Sequence, residues 1–220
     1  MVLRKNIPST ASVVQEKSGG CLHSPAAERN LVHIIELVRS YLPISGNVLE
    51  IASGTGQHII ELAATVPNLV WQPSDIDEAR LNSITLRSLK KPLPNLLPPI
   101  KLDVTDKDWS AFCPKQDFIF LVNLLHLVSE GEVEAIISGI SQSLVQGGRC
   151  AIYGPFMRNG AFTSNSDKAF HQSLIEADPD IGYKDNTWML DLFRQHELEA
   201  IKILEMPANN LAFVVEKSCT

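Results

Sequence analysis

No stretch of this 220-residue sequence approaches the roughly 18 consecutive apolar residues that a bilayer-crossing helix needs, so a soluble chain with no membrane partner is expected. Cysteine is scarce and scattered. Cys21, Cys113, Cys150 and Cys219 include no Cys-x-x-Cys pair. Neither a zinc site nor a disulfide framework is expected; no metal is assigned, and the thiols read as reduced. Positive charge is also short: 19 Lys and Arg face 25 Asp and Glu, a net charge of −6. Phosphate-backbone binding needs a positive field, so nucleic acid is not the expected partner. The N-terminus has no secretory hydrophobic region. It does carry Arg4, Lys5 and several Ser/Thr, with no acid before Glu16, a faint mitochondrial presequence pattern. The expected compartment is the cytoplasm, with the nucleus open and the mitochondrion the weaker alternative. Internal repeats and low-complexity tracts are missing.

What is present is 45% hydrophobic residues, enough for one domain with a real core. Residues 1–23 are polar and read as a flexible extension; 24–220 read as a single domain. Ser24-Pro25 starts a helix, with Ser as cap and Pro at the first helical position. Leu31, Ile34, Ile35, Val38 and Leu42 continue it at helical spacing. Apolar runs at 47–52, 69–72, 100–103, 117–123 and 149–153 read as five buried strands. Helices alternate with them, one opened by the capping box Ser129–Glu132 and closed by Gly147-Gly148. Four prolines make 91–99 a loop. After helices at 167–177 and from a cap at Asp185, two strand runs (198–206 and 211–216) lie one short turn apart and must be antiparallel neighbours. The expectation is an α/β fold: a seven-stranded, mostly parallel sheet with a C-terminal antiparallel hairpin and helices on both faces.

The chemistry concentrates where the first strand ends, at Glu50-Ile51-Ala52-Ser53-Gly54-Thr55-Gly56-Gln57-His58. Gly54 and Gly56 permit backbone angles closed to other residues and let a ligand approach the main chain. The helix that follows presents unpaired N–H groups. A dinucleotide site wants Gly-x-Gly-x-x-Gly. Here Ala52 stands two residues before Gly54, and the third glycine is missing, which argues against a nicotinamide dehydrogenase. Asp75 ends the second strand, where a carboxylate can accept both ribose hydroxyls. Asp103 ends the third, where one can accept an adenine amino group; Ile76 and Val104 lie beside them. The competing reading of each acid is a turn or helix cap, and Asp77 is a cap.

The strand order with its closing hairpin resembles class I S-adenosylmethionine-dependent methyltransferases. The sequence is similar to the methyltransferase-like protein 26 family over about residues 24–217. The likeness rests on Ser24–Asn30, Leu49–His58, Trp71–Asp75, Leu102-Asp103-Val104, Asn123–His126, Tyr153–Phe156 and Met206–Asn210. It departs at Ile181 and Lys184, where related sequences tend to carry Trp and Arg.

The resemblance implies an enzyme with S-adenosyl-L-methionine as cofactor and leaves the methyl acceptor unknown; the acidic charge favours a small molecule or protein over nucleic acid. A non-catalytic adaptor that binds the donor or a protein partner is the alternative. The donor site it implies comprises Arg29, Glu50, Ala52, Ser53, Gly54, Gly56, Gln57, Asp75, Ile76, Asp103, Val104 and Asn123. Catalytic candidates are Asn123, His126 (as a base for a hydroxyl or amine) and Tyr153. Phe156, Asn209 and Asn210 are the substrate-side candidates, the two amides with loop bracing as the other reading. His58 reads as a helix-surface residue.

Overall fold

The computed structural model describes residues 13–16 and 20–218. In chain order the elements are β1 (Gln15–Glu16), β2 (Leu22–His23), α1 (Pro25–Arg39), β3 (Gly46–Ile51), α2 (Gln57–Thr65), β4 (Leu69–Asp75), α3 (Glu78–Lys90), β5 (Ile100–Lys101), β6 (Gln116–Val122), α4 (Glu130–Ser143), β7 (Leu144–Met157), α5 (Asn165–Ala177), β8 (Lys184–Asp185), α6 (Asn186–Gln195), β9 (Leu198–Met206) and β10 (Asn210–Lys217). The main sheet runs β5-β4-β3-β6-β7-β10-β9, with β8 pairing on β7. β3, β4, β5, β6 and β7 pair in parallel, and β10 is antiparallel to both β7 and β9. The expected architecture is therefore observed.

The helix caps form as their chemistry dictates. The Ser24 hydroxyl accepts from Ala27 N–H with Pro25 first in the helix, and Asp77 and Asp185 cap α3 and α6. Ser129 and Glu132 complete a reciprocal capping box on α4. Replacing Ser129 with alanine should lower stability by about 1 kcal/mol, read as a fall in the denaturation midpoint with an unchanged m-value.

Strand alternation sorts the core onto the two faces of the sheet. Leu49, Ile51, Ile119, Leu121, Cys150, Ile152 and Phe156 pack with α4 and α6. Val48, Phe118, Phe120, Ala151 and Tyr153 pack with α1 and α2. Glu50 has the parity of Val48, so it enters the α1–α2 side.

Four expectations need correcting. The sheet gains an eighth strand, because β7 runs on to Met157 and its end pairs with Lys184–Asp185. Gly147 and Gly148 lie inside β7, since α4 already stops at Ser143. β4 continues through Pro73 to Asp75. Trp71 N–H donates to Asn95 O in the outer loop, so the missing N–H of Pro73, two residues on, faces that same irregular edge. The extension is not uniformly flexible. Its described part pairs β1 with β2, Cys21 and His23 are buried, and Leu22 N–H donates to the Ser83 hydroxyl. The rest of 1–23, and Cys219, lie outside the described residues. No helix among the described residues is long and apolar enough to cross a membrane.

Candidate functional site

At the carboxyl ends of β3, β6 and β7 lies a cavity of about 470 Å³. This volume sits at the lower end of the roughly 300–1,000 Å³ typical of small-molecule sites. Its wall combines the glycine turn, the first turn of α1, the segment after β6, and residues of α5, β7 and the β9–β10 turn.

The glycine turn is held from behind. Ser53 N–H donates to Ser74 O at 2.7 Å, Ser74 N–H donates to the Ser53 hydroxyl at 3.1 Å, and the Ser74 hydroxyl donates to Glu50 O at 2.7 Å. Gly54 and Gly56 take φ of 57° and 79°, left-handed values that favour glycine. A Cβ on Gly56 would also meet Ile84 Cγ1 at 3.0 Å. Ala52 is left-handed as well, with φ 53°, a conformation that costs an L-residue on the order of 1 kcal/mol.

Glu50 is buried at the end of β3 and lines the cavity. One carboxyl oxygen, Oε1, lies 3.8 Å from His58 Nδ1; the other, Oε2, has no hydrogen-bond partner among the described residues. Burial pushes its pKa up to about 8, the Ser53 side chain offsetting part of the rise and the Asp75 carboxylate adding to it, so the carboxyl is largely protonated at neutral pH. His58 is not on the helix surface. It is buried, lines the cavity and has Nε2 2.8 Å from Asn30 Oδ1 on α1. Burial lowers its pKa to about 4. From Asn30 the polar contacts continue to the Tyr153 hydroxyl, which also meets Asn210.

Asp75 is buried behind the turn rather than along the cavity wall. Its Oδ2 accepts from Gly54 N–H at 2.9 Å and Oδ1 from Asp77 N–H at 3.0 Å. Arg80 approaches Oδ2 at 3.9 Å and does line the cavity. Ile76, Asp103 and Val104 lie outside its wall, and the Asp103 carboxylate accepts from Thr105 N–H and its hydroxyl. Gln57 also turns away. Its Oε1 accepts from Ser24 N–H at 2.6 Å and from the Thr55 hydroxyl at 2.8 Å, tying α1 to the turn. Arg29, Ala52, Ser53 and Gly54 line the cavity; Gly56 shapes the turn beneath it.

On the opposite wall stand Asn123 and His126. Asn123 leaves β6 at φ 56°, with its N–H donating to Tyr153 O at 2.8 Å. His126, in a short 3-10 turn (Leu125–Leu127), is buried against Phe170 and Tyr183, at ring-centroid distances of 5.9 and 6.4 Å. Its Nδ1 has no partner among the described residues. Burial, reinforced by Lys184, lowers its pKa to about 3. An imidazole this weakly basic is a neutral hydrogen-bonding group, in contrast to the proton acceptor suggested by the sequence. Gly182 N–H donates to His126 O at 3.1 Å, and the Lys184 ammonium donates to Val128 O at 2.7 Å and Gly182 O at 2.9 Å; the segment with departures thus braces this turn.

Phe156 does not reach the cavity. Alternation along β7 sends it into the core against Phe213, at a centroid distance of 5.0 Å, and Pro155 takes the wall position. Asn209 braces the loops, its amide donating to Asp167 Oδ2 at 3.0 Å, whereas Asn210 lines the cavity. The wall also holds Thr55, Arg80, Phe170 and Tyr183, none singled out from the sequence as a site residue, although the 154–184 segment that carries the last two is there the expected pocket cover. Among the described residues no cluster of three or more His, Cys, Asp or Glu is placed to hold a metal.

The family model described as "Protein of unknown function (DUF938)" matches residues 22–217. The chain belongs to the DUF938 family. Solved structures share its fold. A putative O-methyltransferase from Nostoc punctiforme superposes with a TM-score of 0.74 at 18% identity, over 88% of this chain and 57% of that one. An O-methyltransferase family protein from Burkholderia thailandensis gives 0.72 at 16%, over 88% and 57%. Human N-acetylserotonin methyltransferase in complex with S-adenosylmethionine gives 0.72 at 12%, over 88% and 53%. The DUF938 chain thus spans little more than half the length of these structures, and at such identities the likeness speaks for the class I methyltransferase fold alone.

Proposed function

We propose that this DUF938 protein is an S-adenosylmethionine-dependent methyltransferase, that residues 24–220 form the domain that carries the activity, and that it is of the methyltransferase-like protein 26 kind its motifs resemble. One observation carries the reading. Where β3 ends in the glycine turn, a buried carboxyl, Glu50, lines a cavity with one oxygen unpartnered. Buried polar groups are as a rule hydrogen-bonded; this oxygen and His126 Nδ1 are the two unpartnered buried side-chain atoms of the cavity-wall residues among those described, and an ammonium group at the methionine end of the cofactor fits the carboxyl oxygen. Gly54 and Gly56 let the main chain approach the ligand, and Arg29 stands at the wall for its carboxylate. Asp75 holds the turn from below and bears on the ribose through that turn, in place of the direct acceptance of its hydroxyls expected from the sequence. Ile76, Asp103 and Val104 would come to the adenine only by moving toward the cavity.

When bound, the cofactor supplies a reactive sulfonium methyl. The protein's share is to orient an acceptor, and proximity can supply roughly 7–11 kcal/mol. Asn123 and His126 orient rather than deprotonate; Tyr153, expected there from the sequence, lies outside the cavity wall in the core and acts through its contact with Asn210, which closes the acceptor side.

Isothermal titration should give saturable binding of S-adenosylmethionine, and tritium from the labelled methyl should pass to a component of cell extract. No binding at millimolar concentration would refute the reading. Binding without transfer to any extract fraction would favour the adaptor. Replacing His126 with alanine should lower turnover about tenfold or more while leaving cofactor affinity unchanged; a parallel fall in both would make its role structural.

A further inference from the structure

We infer that the methyl acceptor is an uncharged aromatic hydroxyl compound, a phenol-type oxygen nucleophile, rather than an amine or a lysine side chain. This rests on the methyl-donor reading above. Histidines aside, the acidic and basic side chains along the cavity wall are Arg29, Glu50 and Arg80 among the described residues. Glu50 belongs to the donor side, in the glycine-turn strand, and Arg29 and Arg80 are cations. The half built from the end of β6, α5 and the segment before β8 therefore offers no carboxylate to an ammonium group. Asp167 on α5 stays outside the wall and is already engaged. It accepts from the Ser164 hydroxyl at 2.7 Å, the Asn209 amide at 3.0 Å and the Tyr183 hydroxyl at 3.4 Å. Desolvating an ammonium without a counter-ion is costly, and the sulfonium beside it would add like-charge repulsion.

What this half does offer is rings and neutral hydrogen-bonding groups. His126, Phe170 and Tyr183 form one cluster in tilted and edge-to-face contacts, with Phe170 and Tyr183 at 6.1 Å. All three line the cavity, with Leu124 and Leu127 beside them. A flat ring continues such a cluster better than an aliphatic chain of equal size. The amide of Asn123 and the neutral imidazole of His126 then suit one hydroxyl, while the Asn210 amide holds its own turn through Pro207 O and Ala208 O. In the transfer, a lone pair on the acceptor oxygen forms the oxygen–methyl bond as the carbon–sulfur bond breaks. That pair stays on sulfur, which becomes a neutral thioether, and the hydroxyl proton passes to water.

The test uses the full chain and three matched probes: 4-methylphenol, 4-methylcyclohexanol and benzylamine. Binding is followed by ligand-observed NMR with and without S-adenosylhomocysteine, whose own affinity is measured in parallel, and tritium transfer is followed from S-adenosylmethionine. The phenol should bind about tenfold tighter than either other probe. Phe170→Ala should remove most of that preference while S-adenosylhomocysteine affinity holds. Benzylamine, or a lysine-containing peptide, bound or methylated as well as the phenol would overturn the inference, as would equal affinity for phenol and cyclohexanol. Failure of S-adenosylhomocysteine to bind would strike the donor reading instead, and the probe preference of the free protein would still decide the acceptor class.

Discussion

Replacing Asp75 with alanine is expected to weaken S-adenosylmethionine binding by at least about tenfold and to lower stability by roughly 2–4 kcal/mol. Both carboxylate oxygens accept backbone N–H groups, Gly54 at 2.9 Å and Asp77 at 3.0 Å. The site is buried, so removal strands two donors where water cannot readily replace the acceptor. Gly54 sits in the left-handed region, and losing its anchor frees the turn to leave the shape the ligand needs. Burial raises the Asp75 pKa, so its ionised form already bears a desolvation cost, and the net loss should fall toward the lower end of that range. Asparagine keeps one acceptor and should recover about half of the effect. Calorimetry for the ligand and denaturant titration for the fold check the two parts separately. Unchanged affinity in a folded alanine variant would mean that the turn holds its own shape.

Stability should peak near pH 6.5 and fall by about 2 kcal/mol by pH 8, and Glu50→Gln should flatten that fall. The sign follows from three buried groups. His58 and His126 have pKa values lowered to about 4 and about 3 from an ordinary 6.5. Below pH 6.5 the unfolded chain binds more protons at both, so stability rises with pH up to that point. Glu50 works the other way, its pKa raised from 4.5 to about 8, so between those values the folded protein holds the extra proton. From pH 4.5 to 6.5 the two histidines outweigh it. Above pH 6.5 both imidazoles are neutral in either state, and Glu50 alone of the three remains. Stability then falls at roughly 1.4 kcal/mol per pH unit until the folded carboxyl ionises. A bound ligand ammonium favours the carboxylate, so saturating S-adenosylmethionine should shallow the descending limb. A glutamine variant that keeps this limb would assign it to another group.

The order of elements was legible because each was written locally. Ser24-Pro25, Asp77, Ser129–Glu132 and Asp185 each cap a helix through neighbours within three residues. The apolar runs have the length of buried strands, and the last two lie too close in sequence for any connection but a hairpin. What escaped depends on phase and on distant neighbours. An all-apolar strand does not say which parity faces which helix, so Phe156, read as a substrate contact, is core, and its neighbour Pro155 stands at the wall. Gln57 reads as a ligand contact until Ser24, 33 residues earlier, is placed against it. His58 lies at the start of a helix, where exposure is common, and only α1 packing over it makes it buried. The aromatic wall joins His126, Phe170 and Tyr183 from three separate segments with no shared periodicity.

One guanidinium gives the glycine turn a reporter outside the cavity. Arg87 Nε donates to Thr55 O at 2.8 Å and its Nη2 to Leu22 O at 2.6 Å, so one planar group spans the turn and the strand that precedes α1. Openings that displace Thr55 strain the hold on Leu22. Amide deuterium uptake at residues 21–24 should therefore slow whenever a ligand quiets the turn, and it would register occupancy before any acceptor is known.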